Sequence, residues 1–403
     1  MVFKPVASRI EVVDALRGFA LLGIVIANVP YPFVQGPELG SRQMVIGTLT
    51  VNDFLQIVLY LFVNTKFLAI FSMLFGFGFY IQLSRARAKG VRFNAYFLRR
   101  MFLLLVIGCI HAYLIWYGDI IRDYAICGMI LLLFSNWSDK KVLHMGILMC
   151  VLGTGAVYIL NGVFEMNSNY NYDPAIAHTL EYNTSYLAYL EANFTIDPFV
   201  NFLHDSPLTL IFAFGCMLIG FWLGKIGIFS HTEKHGRLMK KWIWVGCTAG
   251  INASLIFWMV TTGRVELNMP IIWLVFLIIV GMMMQSLAYI ALFIKGYSLP
   301  RVNKFLRLFI PVGRMALSNY ILQSVFYTIV MFHWFPGLRL FGKLTLAETY
   351  FVAVAIFAVQ TLLSHLWMKR YAQGPIEYIW RRLSYRNVRE VSEKPLSTVV
   401  QVS

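Results

Sequence analysis

Long apolar runs separated by short polar stretches dominate this chain of 403 residues. A helix needs about 20 apolar residues to cross a bilayer, and about ten runs approach that length. They predict spans over residues 13–34, 55–84, 97–117, 120–135, 142–163, 207–224, 242–261, 270–294, 308–334 and 348–368. The second run is long enough to tilt, or to break near residues 64–66. The pattern therefore predicts an all-α polytopic membrane protein with about ten transmembrane helices.

Composition agrees with this prediction, because 59% of the residues are hydrophobic and only 13% are charged. Soluble domains carry about a quarter charged residues, so the chain belongs to the membrane class. Arg17 interrupts the first apolar run and no small-residue cleavage site follows it. We therefore expect the first run to remain as a helix rather than to be removed as a signal peptide.

The charges divide between the two sides of the predicted bundle. Segments 85–100, 225–241, 295–307 and 369–389 are strongly basic, whereas loop 165–206 contains acidic residues and no lysine or arginine. With ten spans, all the basic segments fall on one side, and the positive-inside rule makes that side cytoplasmic. Although the net charge is +15, this distribution favours contact with anionic lipid and argues against nucleic-acid binding.

The resulting organisation has both termini in the cytoplasm and five spans on each side of the acidic loop. Its predicted parts are a cytoplasmic N-terminus (1–12), an N-terminal bundle (13–164), an extracytoplasmic acidic loop (165–206), a C-terminal bundle (207–370), and a cytoplasmic amphipathic segment with its tail (371–403).

Arg17 is the first candidate for chemistry, because a charge inside a span costs about 2.5–3.5 kcal/mol on insertion scales. Asp14 lies three residues before it and can pair with it on one helix face. Asn28 lies on nearly the same face, about 16 Å further out. Two interpretations stay open: an Asp–Arg clamp that joins helices, and a site for a phosphate-bearing donor.

The ninth span repeats this pattern. After Pro311, the residues Arg314, Ser318, Asn319 and Gln323 are spaced to form one polar helix face. Arg314 starts near the same cytoplasmic leaflet as Arg17, so two arginines at similar depth suggest one shared anion, and guanidinium groups suit phosphate.

Lys66 introduces a further charge into an apolar run. It either snorkels to the membrane surface or lines a cavity.

The third hairpin is the candidate for proton transfer, because His111, Asp119, Arg122 and Asp123 fall close together. If the chain turns near Gly118 at the outer face, Asp123 returns to within about one helical turn of the depth of His111. A histidine beside a carboxylate can act as a general base that the carboxylate orients. Asp119 and Arg122 are then expected nearer the outer mouth. The alternative interpretation is a histidine that only packs and hydrogen-bonds.

Several of these motifs together resemble the YeiB family, which comprises bacterial multi-pass inner-membrane proteins with a C-terminal domain of unknown function. The resemblance covers about residues 9–385 and is carried by the segments 14–23, 66–78, 111–120, 313–323 and 373–381.

That family is in turn similar to a clan of transmembrane acyltransferases that includes heparan glucosaminide N-acetyltransferase. The resemblance implies that Arg17 and Arg314 hold the phosphates of cytoplasmic acyl-CoA, a co-substrate. It also implies that His111, with Asp119 or Asp123, activates the acceptor.

Three functions follow as hypotheses. The first is an acyltransferase that moves an acyl group from acyl-CoA to a glycan or lipid of the envelope. The second is a transporter or permease for a small anionic solute, since intramembrane charges are typical of that class. The third is a noncatalytic membrane protein. No residue cluster has metal-ligand spacing, so we expect neither a metal nor a bound cofactor. The sequence leaves the acyl chain, the acceptor and the oligomeric state open.

Overall fold

The computed structural model describes residues 10–28, 45–46, 49–90, 92–116, 118–163, 185–196, 207–261, 264–265, 271–331, 337–340 and 343–385. Most of the predicted acidic loop lies outside the described residues, as do the predicted N-terminus before residue 10 and the tail after residue 385. As predicted, the described chain is almost entirely α-helical.

The N-terminal half contains six α-helices among its described residues, together with one very short antiparallel strand pair. The strands are β1 (Val45–Ile46) and β2 (Leu49–Thr50), with Val45 opposite Thr50. The helices are α1 (Glu11–Asn28), α2 (Val51–Phe62), α3 (Lys66–Ala88), α4 (Phe93–Leu114), α5 (Ile121–Leu131) and α6 (Asp139–Val163).

The second half begins with a short helix of the acidic loop and ends with an amphipathic helix. Its described helices are α7 (Tyr186–Ile196), α8 (Pro207–Ile226), α9 (Gly236–Val245), α10 (Ile251–Thr261), α11 (Ile271–Tyr297), α12 (Pro300–Leu306), α13 (Ile310–Arg314), α14 (Ala316–Met331), α15 (Leu346–Met368) and α16 (Pro375–Tyr385).

Several helical stretches are long and apolar enough to cross a membrane, and large apolar side chains cover their outer faces. Phe102 is 59% exposed and Phe351 75% exposed, which a lipid environment explains. The protein is therefore an integral membrane protein. The count of ten spans and the cytoplasmic termini stay predictions. The qualifying stretches among the described residues are Val51–Ala88, Phe93–Leu114, Gly236–Val260, Phe276–Tyr297 and Leu346–Met368.

The predicted second span breaks where its polar residues indicate. Thr65 has φ 65°, a left-handed conformation, and it separates α2 from α3. Such a break leaves the carbonyl groups of the last turn of α2 without helical partners. Side chains from elsewhere satisfy them: Gln285 Nε2 donates to the carbonyl of Leu61 at 2.7 Å, and Tyr289 Oη to that of Phe62 at 3.2 Å.

The predicted ninth span, 308–334, is also divided, which the sequence did not indicate. Met315 has φ −113° and ψ 33°, so the chain turns between α13 and α14. The turn separates Arg314 from the polar residues that follow it, and it ends the single helix face predicted to carry them all.

The predicted spans 97–117 and 120–135 correspond to α4 and to α5 with its 3-10 extension. The helix α5 and its 3-10 extension Leu132–Phe134 rise only about 20 Å, short of the about 30 Å hydrocarbon core. The depth of the hairpin turn between α4 and α5 in the membrane stays a prediction. The helix α7 covers this turn. The hydroxyl of Tyr186 donates to the carbonyl of Leu114, and that of Tyr189 donates to the carbonyl of Ile115, both at 2.7 Å.

Helix α1 lies inside the bundle, with Leu16, Ala20 and Leu21 fully buried, and it packs against α3, α13 and α15. Its approach to α13 is unusually close. A Cβ atom on Gly313 would lie 1.8 Å from the carbonyl oxygen of Asp14. Only glycine allows the two backbones to meet in this way, so this crossing fixes Arg17 and Arg314 beside each other.

Candidate functional site

The first cluster, which we call the arginine cluster, consists of Asp14, Arg17 and Arg314. Arg17 Nη1 lies 3.3 Å from Asp14 Oδ1, and Arg314 Nε lies 3.6 Å from Asp14 Oδ2. The carboxylate is nearly buried, whereas the arginine side chains remain 26% and 29% exposed. Two guanidinium groups thus meet at one carboxylate and still face open space, a geometry compatible with both the helix clamp and the anion site.

Two other residues of the predicted polar face, Asn319 and Gln323, bond across to α15, and Asn319 Nδ2 also donates to the carbonyl of Val312 in α13 at 3.1 Å. Asn319 Nδ2 donates to Ser364 Oγ at 2.9 Å, and Gln323 Nε2 donates to Gln360 Oε1 at 3.0 Å. Both bonds join α14 to α15 in a buried network. The turn at Met315 divides the predicted polar face, and whether Asn319 and Gln323 share an anion site with Arg314 stays a prediction.

Ser318 is bound to Glu377, a residue of the segment 373–381 to which the sequence assigned no site role. Glu377 of α16 caps the start of α14, since its Oε1 accepts the backbone N–H groups of Leu317 at 2.7 Å and Ser318 at 3.0 Å. The Ser318 hydroxyl donates to the other carboxylate oxygen. Burial raises the pKa of Glu377 above its ordinary value, although these hydrogen bonds act in the opposite direction.

Asn28 and Lys66 lie apart from the arginine cluster. Asn28 ends α1 as an exposed residue, about 16 Å from Arg17 by helix rise. Lys66 begins α3, where its side chain is fully buried and its Nζ donates to the carbonyl of Tyr60 in α2. Lys66 thus belongs to the helix break, and a donor-binding role for either residue stays a prediction.

The second cluster, which we call the His111 cluster, consists of His111, Asp119 and Ser324. His111 Nδ1 lies 2.8 Å from Asp119 Oδ1, and its Nε2 lies 2.9 Å from Ser324 Oγ. An ionised carboxylate can only accept, so Asp119 requires the proton of the neutral ring to be on Nδ1. The lone pair of Nε2 is then directed at the serine hydroxyl. A histidine held between a carboxylate and a serine has the arrangement of a general base.

Asp119 is itself held firmly, since its side chain is fully buried and its Oδ2 accepts the backbone N–H of Arg122 at 2.8 Å. The Arg122 guanidinium Nε lies 3.5 Å from the same oxygen. Gly108 of α4 makes room for this arrangement, because a Cβ atom there would lie 2.7 Å from the backbone nitrogen of Arg122. The sequence left Asp119 and Asp123 as alternatives. The structure joins Asp119 to His111, while Asp123 lies half-buried in the first turn of α5.

Ser324 is the member of the cluster that sequence reasoning missed. A serine in a membrane helix is unremarkable by itself, and the partner that gives it meaning is 213 positions away. A usable signal was present, because Tyr320, Ser324 and Thr328 recur every four residues and share one face of α14. Tyr320 places this face against the hairpin turn, with its ring centroid 5.4 Å from that of His111.

The two clusters are joined through the α13–α14 segment. Arg314 ends α13 and Ser324 lies in the third turn of α14, beyond the turn at Met315. The His111 cluster lies beside the hairpin turn that α7 covers.

Comparison with known proteins supports the resemblance seen in the sequence. The model of the family described as "Protein of unknown function (DUF418)" matches residues 223–387. Over 96% of both chains, the protein is 31% identical to the uncharacterized protein YxaH of Bacillus subtilis strain 168. It is also 26% identical to the uncharacterized protein YeiB of Escherichia coli strain K12, over 93% of this chain and 95% of YeiB.

Proposed function

Because the chain belongs to the DUF418 family of proteins of unknown function, we propose its function from the geometry of the two clusters. The protein is an acyltransferase of the bacterial inner membrane. It takes an acyl group from acyl-CoA on the cytoplasmic side and transfers it to a glycan or lipid of the envelope.

One observation carries this proposal: His111 is buried between Asp119 and Ser324 at hydrogen-bond distances on both ring nitrogens. A general base set up in this way removes a proton from a hydroxyl group as that oxygen attacks a carbonyl carbon. Acyl transfer to an alcohol needs this step. Asp119 orients the ring and stabilises the imidazolium that forms.

The arginine cluster supports the choice of donor. CoA carries several phosphate groups, and guanidinium groups bind phosphate through paired, charge-assisted hydrogen bonds. Arg17 and Arg314 are partly exposed and point to a common position around Asp14. With the phosphates held there, the extended arm of CoA would carry the thioester along α14 toward His111.

The test is binding of acyl-CoA to the purified protein in nanodiscs, compared among wild type, Arg17→Ala and Arg314→Ala. We expect saturable binding that weakens about tenfold or more in each variant, because each loses one charged phosphate contact worth at least about 1.4 kcal/mol. The matched control is Arg301→Ala, which removes an exposed arginine of α12. Competition by CoA lacking its 3′-phosphate measures whether the phosphates account for the affinity.

Two results would refute this part of the proposal. One is the absence of saturable binding up to millimolar acyl-CoA by a wild-type protein that remains monodisperse. The other is unchanged affinity in both arginine variants, which would leave the arginine cluster as a helix clamp.

A specific observation favours transport of a small anionic solute as the second candidate. Transporters of several folds bind their substrates at discontinuous helices near the membrane midplane. The break between α2 and α3, with Lys66 buried beside it, has this form. His111→Gln separates the two functions: an acyltransferase would lose turnover and keep donor binding, whereas a carrier would lose substrate recognition or proton coupling in an uptake assay.

A further inference from the structure

The hydroxyl of the buried residue Ser324 faces a histidine ring. Ser254, by contrast, donates to the carbonyl of Gly250 in its own helix and to Gln285 Oε1, both of which only accept a proton. Ser324 Oγ lies 2.9 Å from Nε2 of His111, and Nδ1 of the same ring lies 2.8 Å from the buried carboxylate of Asp119. Its proton therefore points to a base.

The order of these contacts defines the role of each atom. When the ring is neutral and Asp119 accepts from its Nδ1–H, Nε2 carries no proton and the Ser324 hydroxyl is the donor. Nucleophile, base and orienting carboxylate are then arranged as in the serine–histidine–aspartate triads of acyl-transfer enzymes on unrelated folds. They come here from α14, α4 and the turn before α5, and the hairpin turn is held against α14 by Tyr320.

We propose that Ser324 is the nucleophile of this site and carries the acyl group as a covalent ester between donor and acceptor. This inference rests on the proposed acyltransferase function and replaces a direct transfer by two steps. It also accounts for the separation of the clusters, because the acyl group can leave the CoA side before the acceptor arrives.

In the first step, Ser324 Oγ attacks the thioester carbonyl carbon while its proton passes to Nε2 of His111. The carbon–oxygen bond forms, the carbon–sulfur bond breaks, and the leaving CoA sulfur takes the proton from Nε2. In the second step, a hydroxyl group of the acceptor attacks the serine ester and gives its proton to Nε2. That proton moves to Ser324 Oγ as the ester bond breaks, which restores the free enzyme.

The inference is tested by incubating the full-length protein in nanodiscs with acetyl-CoA and a long-chain acyl-CoA, without acceptor. The protein is then denatured and digested, and its peptides are analysed by mass spectrometry. We expect an acyl adduct on Ser324 in wild type and in the control Ser286→Ala, which changes a buried serine on α11. The adduct should be absent in Ser324→Ala and should form at least about a hundredfold more slowly in His111→Gln.

A conservative variant separates a chemical role from a structural one. Ser324→Cys should form a thioester instead of an oxygen ester, and neutral hydroxylamine should cleave only the thioester. A serine that merely stabilises the cluster would give no adduct in either form. A fluorophosphonate probe, which reacts with activated serines whatever their acyl chain, should label Ser324 in wild type but not in His111→Gln.

The possible failures are distinguishable. If wild type binds and consumes acyl-CoA without forming an adduct, or if Ser324→Ala transfers at the wild-type rate, the covalent intermediate is refuted and the acyltransferase stands. If no acyl-CoA binds but the fluorophosphonate labels Ser324, the CoA donor is refuted, and with it the proposal in this form. If neither reagent reacts, Ser324 is not a nucleophile.

Discussion

Replacing Gly313 with alanine tests whether the crossing of α1 and α13 holds the arginine cluster together. The added Cβ atom would lie 1.8 Å from the carbonyl oxygen of Asp14 and 2.7 Å from the nitrogen of Gly18. Carbon and oxygen atoms normally approach no closer than about 3.3 Å. The two helices would therefore have to separate by about 1.5 Å, and backbone atoms cannot rotate away as a side chain can.

The size of the effect follows from two opposing terms. Overpacking costs about 1–3 kcal/mol in most proteins, and a clash between two backbones belongs at the upper end. Alanine gains at most about 1 kcal/mol over glycine in a helix interior. The net destabilisation is about 2 kcal/mol. At about 2 °C per kcal/mol, the melting temperature should fall by about 4 °C.

The assay is the melting temperature in detergent, read as the monodisperse fraction that survives heating before size-exclusion chromatography. The matched control is Gly78→Ala in α3, where a Cβ atom would meet nothing within 4 Å. That variant should melt at the wild-type temperature or slightly above it. Acyl-CoA binding should weaken in Gly313→Ala only, since separating the helices moves Arg314 away from Asp14. If the two variants melt alike, the close crossing does not stabilise the protein.

Two further substitutions test the buried charges. Burial raises the pKa of Glu377 above 4.5, so the folded protein binds this proton more tightly than the unfolded chain does. The melting temperature should therefore fall as the pH rises from 4.5 through the raised pKa. Glu377→Gln should make that fall smaller. If the variant and the wild type show the same dependence of melting temperature on pH, the assignment is wrong. Lys66→Met should raise the melting temperature. Burying an ammonium group costs several kcal/mol, whereas its hydrogen bond to the carbonyl of Tyr60 stabilises the protein by only about 1.5–3 kcal/mol. A lower melting temperature would show that the ammonium stabilises the helix break.

The sequence predicted those features whose cause is local. Arg17 and Arg314 stood out because charges are rare inside apolar runs, and the break before Lys66 stood out because its run was too long for one span. His111 and Asp119 were singled out by their spacing. Whether any of these residues binds or reacts remains a prediction.

The rest could not be predicted because it depends on the relative rotation of distant helices. A turn at Met315 decides whether Asn319 faces Arg314 or Ser364, and no periodicity within the ninth span encodes it. Likewise, the residues Gln323 and Ser324 are adjacent in sequence, yet one joins α15 and the other meets His111. Their chemical types alone gave no reason to prefer the second.

The break between α2 and α3 has a consequence for the biogenesis of the protein. The carbonyl of Leu61 accepts its hydrogen bond from Gln285, which is synthesised 224 residues later. At about 5–20 residues per second, that delay is about 10–45 s. Throughout it, the nascent N-terminal half must hold an unsatisfied backbone within the membrane, which costs several kcal/mol per polar group. A chain that stops before α11 lacks this donor permanently, so the break depends on the second half of the protein.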